Sequence, residues 1–392
     1  MKSQQPRRSA LFELGFRPFF LAGAVFAALV IPLWVAAWLG LTGEWQPAGG
    51  WLAWHMHEML FGFIAAVIAG FLLTAVQNWT GVPGLSGSPL VALAAIWLFA
   101  RLAWLTPLPV WLVISLDVLF LPAVTVSIAR SVWIARQKRN YPVVLVLGLL
   151  ALCNLVSLTG LATGDFALQR QSNLGALWLV AALVGIIGGR VIPFFTQRGL
   201  DLSGPAPSLP WLDYLLLAGS IVVALLMLSG IALQPSIGLG VVFALLGAGH
   251  LVRLLLWHHP GIWQVPLLWS LHMAYAWLVV ALYAMALWNA GWLIGFSQAT
   301  HLLAIGSMSG MILAMIARVS LGHTGRPLKT VPAISAAFIL LNLAVPARVW
   351  LAPAWPQLGF WLAGLCWATA FALFVWYYAA ILYRPRPDAL PG

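Results

Sequence analysis

From Phe19 almost to Tyr383 the chain is one apolar stretch after another, with few residues left between them. Only 7% of its 392 residues are Asp, Glu, Lys or Arg, against roughly 25% in a soluble domain, whose surface must be wetted. Most of this chain therefore has no water to face. A bilayer core of about 30 Å takes about 20 residues of helix to cross, and in lipid a helix satisfies its own backbone polar groups. A β-barrel would show alternating segments of about ten residues, and these are absent. The expected fold class is all-α: a polytopic integral membrane protein, a single transmembrane helical domain over residues 1–392 with about twelve spans and both termini cytoplasmic.

The spans are predicted at roughly 19–40, 54–77, 89–105, 109–135, 141–163, 171–197, 210–230, 233–256, 266–290, 296–319, 331–351 and 357–383. Prolines and glycines punctuate the joints, as at Pro83-Gly84, Pro107, Pro205, Pro207, Pro210, Pro235, Pro260-Gly261 and Pro353. Positive charge tests this count, because Lys and Arg collect on the cytoplasmic side. With the N-terminus inside, Lys2, Arg7, Arg8, Arg17, Arg130, Arg136, Lys138, Arg139, Arg190, Arg198 and Arg253 fall at cytoplasmic ends. Arg318, Arg326, Lys329, Arg384 and Arg386 join them, and only Arg101, Arg170 and Arg348 fall outside. One missed span would scramble that alternation.

The net charge of +11 does not point to nucleic acid, since the cations are scattered in short loops. There they orient the chain and meet anionic lipid heads. Cys153 and Cys366 sit inside apolar spans and form no CxxC or CxxCH motif, which excludes covalent c-type haem and a cysteine-based zinc or iron–sulfur site. The first apolar run is too long for a cleaved signal peptide and lacks a small-residue cleavage site, so a retained first helix is expected. Trp51, Trp54, Trp104, Trp111, Trp288, Trp292, Trp350 and Trp355 lie near the predicted outer interface, as an aromatic belt would. There is no Walker A loop, no GxGxxG at a strand–helix junction, no stretch large enough for a nucleotide-binding domain and no serine-hydrolase arrangement.

Ionisable residues within spans are costly and point to function. Histidine is the informative type, as a ligand for haem iron, copper or zinc and as a proton carrier. His55 and His57 lie in Trp54-His-Met-His-Glu58 at the outer start of the second span. On a helix, residues two apart point about 200° apart, whereas in an extended turn both rings would share a face. Alternatively His55 pairs with Glu58 across one helical turn, the carboxylate fixing the imidazole tautomer. His301 opens the tenth span at the same level, above Met308, Met311 and Met315 at helical spacing. Imidazole with thioether suits copper, although a methionine stripe also serves as adaptable core filler. His250, His272 and His323 form a second group toward the cytoplasmic side, with Tyr275 on the same helical face as His272, while His258 and His259 fit plain interfacial side chains. The other intramembrane charges are Glu58, Asp117 and Arg190. Arg190, in Gly188-Gly-Arg-Val-Ile-Pro193, is placed either to bind a haem propionate or another anion, or to snorkel to the inner interface. A faint internal echo links His57 to Thr80-Gly81 with His301 to Thr324-Gly325, Gly62 matching Gly306.

Six motifs carry a resemblance: Gly15-Phe-Arg-Pro-Phe-Phe20, Trp54-His-Met-His-Glu-Met-Leu-Phe-Gly62, Ala69-Gly-Phe-Leu-Leu-Thr-Ala75, Asn78-Trp-Thr-Gly81, Gly189-Arg-Val-Ile-Pro-Phe-Phe195 and Arg318-Val-Ser-Leu-Gly-His-Thr-Gly-Arg-Pro327. Together they resemble the NnrS family of bacterial membrane proteins linked to nitric-oxide stress and denitrification. Gln77 stands where a proline is expected before Asn78. The resemblance implies a multi-span protein of the bacterial cytoplasmic (inner) membrane, carrying haem b and copper and protecting against nitric oxide or its products, whether by binding or by redox turnover. Its motifs contain His55, His57 and His323; the reading of the residues adds His272, His301 and Arg190 as cofactor candidates, with His55, His57 and His301 as the metal set. A secondary transporter using Glu58, Asp117 and Arg190 for coupling is the alternative reading. A protein that handles haem or copper for others is the third.

Overall fold

The computed structural model describes residues 10–205, 207–292 and 294–388, so the cytoplasmic placement of Lys2, Arg7 and Arg8 lies outside the described residues. Eleven helices among them are long and apolar enough to cross a membrane, and the 17-residue apolar helix Ser88–Trp104 completes the series. In chain order they are α1 (Phe16–Trp38), α2 (Gly50–Thr80), α3 (Ser88–Trp104), α4 (Val110–Ile134), α5 (Tyr141–Thr163) and α6 (Phe166–Gly199). The second half comprises α7 (Pro210–Leu228), α8 (Ile237–Trp257), α9 (Pro266–Asn289), α10 (Phe296–His323), α11 (Pro332–Ala354) and α12 (Pro356–Tyr383). No strand occurs among the described residues.

The bundle closes on itself. The Ala10 N–H donates to the Tyr383 carbonyl (3.1 Å), and Arg17 Nη1 donates to the carbonyls of Leu382 (3.0 Å) and Arg384 (2.8 Å). The start of α1 and the end of α12 thus meet at one face of the bundle, called here the terminal face. Within the layer, α12 is fastened to α1 by Trp367 Nε1, which donates to the Ala27 carbonyl (2.9 Å). The large apolar side chains left on the outside, such as Trp133, Leu245 and Trp376, would be a liability in water and are solvated by lipid in a bilayer.

Of the eleven, α2, α6 and α10 are the most enclosed, and they stand four spans apart. Around them α1 packs on α2 and α12, α5 and α7 on α6, and α9 on α10. Both α2 and α10 contain a π-helical segment that begins directly after a histidine: Glu58–Ile64 follows His57, and Leu302–Ser309 follows His301. Such segments concentrate at functional sites. The offset that carries His57 to His301 also carries Gly62 to Gly306, and Ser88, which opens α3, to Pro332, which opens α11. Spans α1–α4 therefore echo α9–α12, a repeat of the kind known in membrane proteins.

The matched glycines have a packing reason. A Cβ on Gly62 would lie 2.8 Å from Arg101 Nη1 and from the Phe26 ring, and one on Gly306 would lie 2.8 Å from Trp277 Cβ. The Gly62 carbonyl in addition accepts from Trp97 Nε1 (2.9 Å). Two residues of the expected aromatic belt prove to be core instead: Trp54 and Trp104 are fully buried, while Trp111, Trp292, Trp350 and Trp355 are exposed.

Gly306→Ala should lower the thermal unfolding midpoint in detergent, by the equivalent of about 1–3 kcal/mol for overpacking. Gly148→Ala, whose added methyl meets nothing within 4 Å, should be neutral or stabilising. Equal midpoints for the two variants would contradict the close packing of α9 on α10.

Candidate functional site

The first site grows from four consecutive spans. The turn carrying Trp54-His-Met-His is helical, not extended, and the two histidine rings part company. His57 points into a buried polar network with Glu58 from α2, Arg101 from α3, Asp117 from α4 and Asn154 from α5, each of them buried. Arg101 donates from Nη1 to Glu58 Oε1 (2.6 Å) and from Nη2 to Asp117 Oδ2. Trp104 Nε1 donates to Asp117 Oδ2 (3.0 Å), and Asn154 Nδ2 donates to Asp117 Oδ1 (3.0 Å).

Donor logic then settles the orientation of His57. Asn154 gives its amide N–H to a carboxylate that can only accept, so its Oδ1 is the atom turned to His57 Nε2, 3.0 Å away. His57 Nδ1 faces Glu58 Oε1 at 3.1 Å, an oxygen that already accepts from Arg101. Both ring nitrogens are thus placed to donate. Two carboxylates face a guanidinium and an imidazolium, and the cluster is neutral as a whole. The π-helical segment starting at Glu58 widens the backbone so that adjacent residues, His57 and Glu58, both reach the same network.

The His57, Glu58 and Asp117 ligand atoms all lie within 4.8 Å of one another, a set chemically able to hold a cation. Arg101, however, already bridges the two carboxylates and supplies the positive charge that a metal would bring. The arrangement acts as an ion lock joining α2, α3, α4 and α5.

The second site is made by the partner histidines. Glu58 pairs with His57 and Arg101, so the expected pairing of His55 with Glu58 is not formed. His55 instead stacks on Trp34, with ring centroids 4.5 Å apart and planes 10° apart, and its Nδ1 is buried without a hydrogen-bond partner. On α10, His301 Nδ1 donates to the Ser297 carbonyl (2.6 Å). That bond places the proton on Nδ1 and leaves the Nε2 lone pair uncommitted. Arg348 from α11 donates to Ser297 Oγ (3.1 Å). His55, His301 and Arg348 are close enough to act on one another electrostatically. Two half-buried imidazoles, one on α2 and one on α10, therefore lie within electrostatic reach of each other.

Toward the terminal face the remaining candidates separate. His250 Nδ1 lies 2.6 Å from Tyr275 Oη, and Gly185 and Gly188 of α6 make room for these two rings. Arg253 beside them pairs with Asp213 (3.2 Å) and donates to the Gly185 carbonyl (3.0 Å). His272 Nδ1 donates to the Leu268 carbonyl (3.0 Å). His323 packs on the Phe16 ring (5.6 Å), and its partners are not shared with His250 or His272. Arg190 donates to Asn140 Oδ1 (2.9 Å) and the Arg139 carbonyl (2.9 Å), tying α6 to the α4–α5 connection. Both of its Nη atoms are thus engaged locally. Met308, Met311 and Met315 line an apolar cavity shared with α2 and α6. Gln77 simply continues α2, its carbonyl accepting from the Gly81 N–H (2.8 Å).

With this geometry in view, the comparison with protein families is decisive: residues 10–386 match the NnrS protein family. The chain belongs to the NnrS family. No curated protein matches it. Within this NnrS protein, sequence reasoning missed Arg101, Asn154, Ser297 and Arg348. A signal for two of them existed. The three cations that broke the positive-inside pattern were Arg101, Arg170 and Arg348; the first two are held at Glu58–Asp117 and over the Phe296 ring, and the third at Ser297.

Arg101→Leu should strand two buried carboxylates and cost about 3–5 kcal/mol. It should read as a large drop in the thermal midpoint of the detergent-solubilised protein, partly restored by adding Asp117→Asn. A wild-type midpoint for Arg101→Leu would rule out the ion lock.

Proposed function

We propose that this NnrS-family protein binds redox-active metal, haem iron or copper, inside the bacterial cytoplasmic membrane and acts there against nitric oxide or its products. The observation that carries the reading is the pair His55 and His301. Each offers an imidazole nitrogen with no protein partner, His55 through Nδ1 and His301 through Nε2. A buried ring nitrogen without a partner is costly, and neutral imidazole is a ligand for both copper and haem iron. The donation from His301 to the Ser297 carbonyl is the outer bond that orients a metal-ligating histidine. The residues therefore fit the group.

When bound, the metal would supply electron transfer to or from a small nitrogen oxide. The protein's own part is to fix two tautomers, to keep Arg348 as a positive neighbour for an anionic edge or product, and to keep water out with Trp34 stacked on His55. Nitric oxide is small and apolar and reaches such a site through lipid. His57 enters this reading as the residue whose ion pairs hold the α2 turn on which His55 stands.

The transporter reading loses ground on the same geometry. Glu58 and Asp117, the acidic groups it would use for coupling, are engaged with Arg101 and His57, and Arg190 is tied to the α4–α5 connection.

His55→Ala and His301→Ala should each lower the iron or copper content of the purified protein at least several-fold and change its visible spectrum, while the thermal midpoint stays near wild type. His258→Ala should leave all three unchanged. Undiminished metal in both single variants would refute the assignment.

A further inference from the structure

Methionine is the side chain best able to fill an irregular gap, being unbranched, flexible and soft. Met308, Met311 and Met315 follow one another at three- and four-residue steps on α10 and face the same interior space. They do not fill it. An apolar cavity of about 80 Å³ stays between them and side chains of α1, α2 and α6, among them Phe20, Val67 and Val184. Folded interiors leave few voids larger than a water molecule, because atoms that line a gap lose their dispersion contacts across it. This one lies among α2, α6 and α10, the most enclosed spans of the bundle, where packing should be tightest.

The lining decides what can occupy the space. Every side chain of it is a hydrocarbon, an aromatic ring or a thioether, so the cavity offers no hydroxyl, amide or charge. A water needs two to four polar partners and an ion needs a counter-charge, and neither finds them there. Apolar cavities of roughly 150 Å³ stay dry and take up benzene or xenon. At about half that volume a ring no longer fits, and single atoms and diatomic molecules remain.

The approach is apolar as well. The lining is buried except at Ile68, Phe71 and Ile187, which are half-buried. These three stand well inside α2 and α6, at the depth of the lipid tails. A guest arriving at their level comes from the hydrocarbon of the bilayer, where small apolar molecules concentrate and ions do not.

We propose that this cavity is a binding site for a small apolar molecule, a diatomic gas, taken up from the bilayer. Polarisable sulfur on one wall and hydrocarbon on the others supply dispersion contacts and no competing polar partner. A lipid tail is long, and a cavity of this size accepts only a short piece of it. The site stands apart from His55 and His301, which do not line it, and needs no metal there.

Crystals of the purified full chain pressurised with xenon test this by anomalous diffraction, with xenon as the probe for an apolar guest of about that size. One xenon peak is expected inside the cavity, against Val184 and the methionines. Val184→Phe fills the space and should remove the peak. Val184→Ile adds less and serves if the Phe variant does not fold; it should lower the occupancy roughly twofold or more. A wild-type cavity without xenon, a lipid tail or a chain of waters ordered in its place, or an undiminished peak in either variant would overturn the proposal.

Discussion

A charge inside a bilayer must find its opposite there, and the contact that meets this demand is Arg101 between Glu58 and Asp117. Four spans depend on it. The guanidinium comes from α3, the carboxylates from α2 and α4, and Asn154 of α5 fixes the remaining oxygen of Asp117. Ion pairs at such depth add little net stability over an apolar core, but they are unforgiving of a missing partner. Removing any one of the partners would therefore disturb the packing of all four spans. His57 is held by both nitrogens as part of that arrangement, and the helical turn before it carries His55 to its place on Trp34.

The repeat gives the lock a counterpart with a different chemistry. In both copies a histidine stands where an α-helix passes into a π-helical segment, and a cation arrives from the next span, Arg101 in the first copy and Arg348 in the second. The offset that relates the copies puts Leu302 in the place of Glu58 and Trp361 in the place of Asp117. Without acids, the second copy cannot close as an ion cluster. His301 uses one nitrogen on its own helix and keeps the other free. One scaffold thus yields a closed site that holds the bundle together and an open one able to take a ligand.

Scarcity of charge was enough to read the all-α membrane class, because a bilayer admits few other solutions. The echo between His57 and His301 was visible as spacing, and the structure adds its cause in the paired π-helical segments. What the sequence could not convey was direction. Along α5, α9 or α12 the side chains facing lipid and those facing protein are equally apolar, so no periodicity says which face looks inward. For that reason Trp54 and Trp104 read as interface residues although they are core. Arg101 and Arg348 were legible only as violations of the positive-inside pattern. A violation of that kind, in a chain with so few charges, marks a cation held by something the sequence does not place beside it.

In the proposed function His55 and His301 share a metal from which His57 is withheld. X-ray absorption at the iron and copper edges of the purified protein addresses this directly. It should show imidazole scattering from two histidines at one metal, reduced to one in His301→Ala and unchanged in Asp117→Asn. A coordination shell free of imidazole, or one built from carboxylate oxygens and altered by Asp117→Asn, would contradict it.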